Sequence, residues 1–102
     1  MTLIKRLSEM IDDELEDAER YAKAALEFKD SHPDLSRAFY SLSQQEMEHM
    51  NILHGQVVNE INEYKRTKGE PPTAMQAVYD YIHQKHIEEA AEVKTLQAMY
   101  QR

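Results

Sequence analysis

Glu46 and His49 stand three residues apart in the middle of the longest helical stretch that this sequence predicts. On an α-helix that spacing separates two side chains by about 4.5 Å along the axis and about 60° around it. One carboxylate and one imidazole can therefore reach the same metal ion from one helix face. Both residues also fall on the stripe that the surrounding apolar residues mark as buried. A carboxylate and an imidazole inside a helical bundle need compensating partners, and shared metal coordination supplies them.

The elements that would carry these residues are plain in the punctuation. Asp30-Ser31-His32-Pro33-Asp34 forms a first break, in which Ser31 or Asp30 can cap and Pro33 suits the first turn of a new helix. Lys68-Gly69-Glu70-Pro71-Pro72-Thr73 forms a second. Gly69 reads as a C-terminal stop there, and Thr73 with Gln76 as a capping box. The pattern predicts helices over 3–30, 34–68 and 74–101. At 1.5 Å per residue each is a rod of about 40–50 Å. The expected fold is a single all-α domain over 1–102, an antiparallel up-and-down arrangement of three long helices.

Apolar residues spaced by three and four mark one stripe on each rod. The first runs Ile4, Leu7, Ile11, Glu14, Ala18, Ala22, Ala25. The second runs Leu35, Phe39, Leu42, Glu46, His49, Leu53, Val57, Tyr64, and the third Met75, Val78, Tyr79, Ile82, His86, Glu89, Val93, Leu96, Tyr100. Each is interrupted near its middle by ionisable groups: Glu14, then Glu46 and His49, then His86 and Glu89. Packed side by side, the rods can bring these interruptions to one layer. Glu60 and Lys29 also fall near the stripes, close to helix ends. His86 has a structural reading as a core histidine bonded to Glu89 or Tyr79. His32 and His54 read as turn and flank residues, and His83 lies off the centre of its stripe.

Composition excludes several functions. The chain has 102 residues, a formal charge of −7 and no cysteine, so disulfides, thiolate metal sites and cysteine nucleophiles are out. The acidic balance argues against nucleic acid or an anionic membrane as partner. Charged residues make up 30% and mean hydropathy is −0.77; no segment has the apolar length of a membrane span. The N-terminal stretch carries a basic pair but no signal-peptide core, so a cytoplasmic location is expected. Leu96 to Arg102 still reads as helix rather than as an appended targeting peptide. No glycine-rich phosphate loop, basic aromatic face or calcium loop is present. The acidic runs around Asp12-Asp13-Glu14 and Glu16-Asp17 read as a solvated helix face, and the six methionines as core and interface filler.

Two segments carry a family resemblance. Glu14-Leu15-Glu16-Asp17-Ala18-Glu19-Arg20-Tyr21 resembles the first-helix motif of bacterioferritins and encapsulated ferritins, a metal-binding Glu followed seven residues later by a Tyr. Gln45-Glu46-Met47-Glu48-His49-Met50 resembles the Glu-x-x-His motif of the same ferritin-like superfamily. The interval of 32 residues from Glu14 to Glu46 suits that family's helix-turn-helix half. The match spans roughly residues 7–60, and the chain has a single Glu-x-x-His where full-length ferritins and rubrerythrins repeat the half.

The resemblance implies a di-iron carboxylate protein, with manganese as the alternative metal, that oxidises Fe(II) with dioxygen or peroxide. Two arrangements would complete its centre. Two chains can pair as a homo-oligomer, so that Glu14, Glu46 and His49 meet their symmetry mates and a four-helix di-metal bundle forms. Alternatively, the third helix supplies Glu89 and His86 within one chain; the two can also coexist, with the third helix adding ligands or supporting hydrogen bonds at a dimeric centre. The resemblance gives Tyr21 the role of hydrogen-bond or electron donor; as a residue it reads equally as packing. Two other classes of function stand beside this one: a non-catalytic helical interaction module, and an iron-binding storage or cargo protein without turnover.

Overall fold

The computed structural model of the protein describes residues 2–102. These residues form three helices and no strand: α1 (Thr2–Glu27), α2 (Pro33–Lys68) and α3 (Thr73–Gln101). The all-helical expectation and both breaks stand. The caps differ. Proline at N1 makes the residue before it the cap, so His32 takes that place, without a side-chain capping bond. Ser31 Oγ instead lies 2.9 Å from His32 Nδ1. Helix α3 begins at Thr73, one residue early for a capping box, and Pro72 is its cap. The Gln76 amide instead donates to Asp80 Oδ1 at 2.9 Å. Gly69 does end α2, with φ of 83° and its N–H on the Lys65 carbonyl at 3.0 Å.

The molecule is a rod of 55 × 18 × 17 Å with a radius of gyration of 16.4 Å, where a compact domain of this length has about 13 Å. Ser43 of α2 meets Ala18 of α1, and Ser36 meets Ala25, so the two helices run antiparallel. His86 of α3 meets Asp12, and Gln97 meets Ser43, so α3 runs along α1 and against α2. Helix α1 is the spine. It packs along both neighbours, whereas α2 and α3 touch at few places.

The shared core is Ile11, Leu15, Ala18, Met47, Met50 and Val93. Towards the α1–α2 turn the seam is made of small residues, Ala18, Ala22 and Ala25 against Ser36 and Ser43, all buried. Their size lets the two backbones approach. Ser43 Oγ donates to the Ala18 carbonyl at 2.7 Å, and Ser36 Oγ donates to the Ala25 carbonyl. The stripe expected on α2 is therefore rotated. Ser36, Ser43, Met47 and Met50 face α1, while Phe39, Leu42 and Leu53 are half-buried and Leu35 is 43% exposed. On α3, Tyr79, His86 and Val93 are buried as expected, whereas Val78 faces out. No helix is long and apolar enough to cross a membrane.

Candidate metal centre

Glu14 from α1 and Glu46 and His49 from α2 come together on one flank of the α1–α2 hairpin. The antiparallel seam sets this meeting: Ser43 against Ala18 places the next turn of α2 beside the preceding turn of α1. His49 Nδ1 lies 3.4 Å from Glu14 Oε2 and 3.8 Å from Glu46 Oε2. One potential ligand atom from each residue lies within 4.8 Å of the others, the only such trio among the described residues. The two carboxylate side chains are 17% and 25% exposed for Glu46 and Glu14, and the His49 side chain is 54% exposed. The carboxylates thus sit in the groove and the imidazole closes it from the solvent side.

Glu14 Oε2 is buried and has no hydrogen-bond partner. An orphaned carboxylate oxygen is costly, and burial of a charged acceptor ordinarily comes with donors or a cation. Here the nearest groups are an imidazole nitrogen just beyond hydrogen-bond range and a second carboxylate. A cation satisfies all three at once. Ligands about 2.1 Å from an ion sit roughly 3–3.5 Å from each other, so the cluster needs only a small contraction to close on one. Two carboxylates and an imidazole suit Fe(II), Mn(II) or a related first-row ion. The residues present fit the metal.

The other expected site residues lie elsewhere. Asp12 and Glu14 are two positions apart, which turns them about 160° from each other around α1. Helix α3 packs on the Asp12 side. His86 is buried there, 6% exposed, with its Nε2 2.8 Å from Asp12 Oδ1. Glu89 faces an acidic groove with Asp12, Glu16, Glu19 and Glu92, and lies 3.8 Å from Lys85 Nζ. Neither reaches Glu14, Glu46 or His49 within one chain, so the arrangement in which α3 completes the centre is not the one formed. Position around α1 is the reason: the spine stands between α3 and the cluster.

Tyr21 shares the flank of Glu14 but stands two turns away, about 10 Å along the axis. Its ring stacks with Phe39 at 6.1 Å, Phe39 stacks with Phe28 at 6.1 Å, and Phe28 meets His32 edge-on at 5.6 Å. The tyrosine is thus the end of an aromatic row that runs from the turn towards the cluster.

Sequence reasoning missed Asp12, which read as one acid in a solvated run. Its place directly after Ile11, on the side of α1 that α3 covers, was the available signal. The sequence reading likewise left His54 as a flank residue and His83 off the centre of its stripe. Their rings lie 5.0 Å apart with a 24° interplanar angle, joining α2 to α3. No family model matches this chain, and no curated protein and no solved structure is significantly similar to it.

Proposed function

We propose that this protein is a ferritin-like iron oxidase whose metal centre is shared between two copies of the chain. Glu14, Glu46 and His49 of each copy would hold a pair of Fe(II) ions, with Mn(II) accepted by the same donor set. The observation that carries the reading is the buried, unpartnered Glu14 Oε2 facing His49 Nδ1 and the Glu46 carboxylate.

A shared centre accounts for the open flank as well. Along the same flank, Met10 is exposed about one turn from Glu14, Leu3 and Leu35 are exposed farther along their helices, and the Tyr21–Phe39–Phe28 row is only half-covered. Three rods leave this side of the hairpin without a facing layer. A second hairpin would cover it and form four helices around the ligands. Four carboxylates would then balance two divalent ions, leaving a buried centre near neutrality.

In this mechanism Fe(II) is the substrate, and dioxygen or peroxide takes its electrons. The chain's own residues bind and orient. Glu14 and Glu46 supply the negative charge that favours the higher oxidation state, and His49 fixes one ligand position. The half-buried walls limit water at the cluster. Tyr21 lies too far along α1 to touch an ion held by Glu14 of its own chain, so its part is to shape the apolar face beside the centre.

Anaerobic Fe(II) titration combined with native mass measurement tests the proposal. A dimer or larger assembly carrying about one iron per chain, with oxidant consumed on exposure to dioxygen or peroxide, is the expected result. Tight iron without oxidant consumption would make the protein a store. Absence of iron binding would leave a helical interaction module built on the same apolar flank.

A further inference from the structure

Three serines are buried among the described residues, and one of them has no partner. Ser36 and Ser43 of α2 donate to carbonyls of α1. Ser8 of α1, 7% exposed between buried Ile4 and Ile11, makes no side-chain hydrogen bond among the described residues. It lacks even the bond to the carbonyl four positions back that a helical serine commonly makes. It lines instead a cavity of about 170 Å³ between the three helices. Ile4 and Ile11 of α1, Val57 and Ile61 of α2 and Ile82 of α3 form much of the wall. Asp80 and His83, both exposed, mark its mouth. A small residue at this point of the α1 stripe, beside the loose seam between α2 and α3, leaves the space.

We propose that this cavity binds a neutral single-ring aromatic carrying one hydroxyl, the phenol class, with that hydroxyl paired to Ser8. Size sets the scale: an apolar cavity of about 150 Å³ accepts benzene. The lining sets the class. Tyr79, His54, His83 and His86 add four rings to the aliphatic wall, which favours a ring through edge and offset contacts. Ordered water is poorly served at the buried end, because each molecule needs about two to four polar partners. Ser8 and His86 are the buried polar side chains there, and His86 Nε2 is already held by Asp12 at 2.8 Å. A hydroxyl on the ligand would satisfy Ser8 and itself at once. Asp80 at the mouth and the formal charge of −7 disfavour an anion such as benzoate.

The site is separate from the carboxylate cluster. Ser8 precedes Glu14 by about 9 Å along α1, and nothing in the proposal depends on a metal. A ring bound in the cavity would touch all three helices. Helices α2 and α3 otherwise meet at few points, among them the Tyr40–Tyr100 stack and the Gln97–Ser43 bond. The ligand would thus join α3 to α2 where the chain itself joins them least.

Titration of the isotope-labelled full chain with phenol, benzene and benzoate, followed by NMR and by thermal unfolding without metal, tests the assignment. Phenol is expected to bind saturably, with a dissociation constant of about 1 mM or tighter. It should move the methyl resonances of Ile4, Ile11, Ile61 and Ile82 and raise the melting temperature. Benzene should bind about fivefold more weakly, and benzoate not at all. Ser8→Ala should weaken phenol by about fivefold and leave benzene unchanged. Ser8→Leu, which fills the space, should abolish binding of both; Ser8→Ala decides the matter even where Ser8→Leu does not fold. Absence of saturable phenol binding to the wild-type chain overturns the proposal. Phenol affinity that Ser8→Ala leaves unchanged, or benzoate binding as tightly as phenol, overturns it too. Fe(II) binding at the carboxylate cluster is read separately, so either site can fail alone.

Discussion

Two carboxylates within a single turn of α1 meet opposite fates in this molecule. Asp12 turns towards α3 and is engaged by a buried imidazole at 2.8 Å. Glu14, two residues on, turns to the uncovered flank of the hairpin, where its Oε2 is buried without a hydrogen-bond partner. Both flanks combine acids with histidine, and the sequence offers candidate ligands on each, Glu14, Glu46 and His49 on one and His86 and Glu89 on the other, while Asp12 reads as a solvated acid. A carboxylate–histidine contact that is already satisfied holds the fold together. One left incomplete in the deeper of the two positions asks for something from outside the chain. The contrast between paired and orphaned oxygen separates scaffold from site here more sharply than residue type does.

The contrast can be broken most decisively on the orphaned side. Glu46→Ala with His49→Ala should weaken Fe(II) binding more than about 100-fold, or about 3 kcal/mol, measured by anaerobic titration, while far-UV circular dichroism stays helical. On the paired side the expected loss is in stability. His86→Ala removes a buried ring packed between α1 and α3 and should cost about 2 kcal/mol in urea unfolding, with little effect on iron binding. If His86→Ala instead abolished iron binding, the division of roles would be wrong.

A smaller change sharpens the same comparison with opposite sign. Glu14→Leu replaces a half-buried carboxylate, whose Oε2 has no hydrogen-bond partner, by an apolar group on an apolar flank. Without added metal it should stabilise the chain by about 1 kcal/mol, a gain in denaturation midpoint accompanied by loss of iron. Asp12→Leu should not stabilise, because it strips a partner from buried His86.

The mildest effect concerns pH. The His54 pKa in the folded chain lies below the ordinary 6.5, first through burial and then through His83 and His86. The unfolded chain therefore binds the extra proton more readily. This contribution to stability is fully present above pH 6.5 and is lost as pH falls through the depressed folded value. His54→Gln should flatten that part of a stability–pH profile taken without divalent metal.

Much of this architecture was legible in advance because its punctuation is strong. Pro33, Gly69 and the Pro71-Pro72 pair leave little freedom in where helices break. Glu14, Glu46 and His49 were legible as a group because interruptions of apolar stripes stand out. The rotation of α2 was not. Ser36 and Ser43 are polar by composition, yet they are buried, and their hydroxyls bond to carbonyls of the facing helix. A pattern that counts apolar residues assigns the buried face to Phe39 and Leu42 instead. The Asp12–His86 bond joins residues 74 positions apart, and the place of that aspartate directly after Ile11 is a weak signal among its acidic neighbours. His54 and His83 were overlooked for a similar reason: each is ordinary on its own helix, and only the packing of α3 against α2 makes them neighbours.

The two seam serines have a consequence beyond adhesion. By pinning hydroxyls to the opposing backbone at 2.7 Å in one case, they act as dowels that set the roll of one rod upon the other. Ser43 lies just under one turn before Glu46, so the azimuth at which that acid and His49 emerge is fixed by an alcohol that need never meet an ion. Exchanging Ser43 for a bulkier aliphatic group would push the rods apart and misalign the ligands while every donor atom stayed in the sequence.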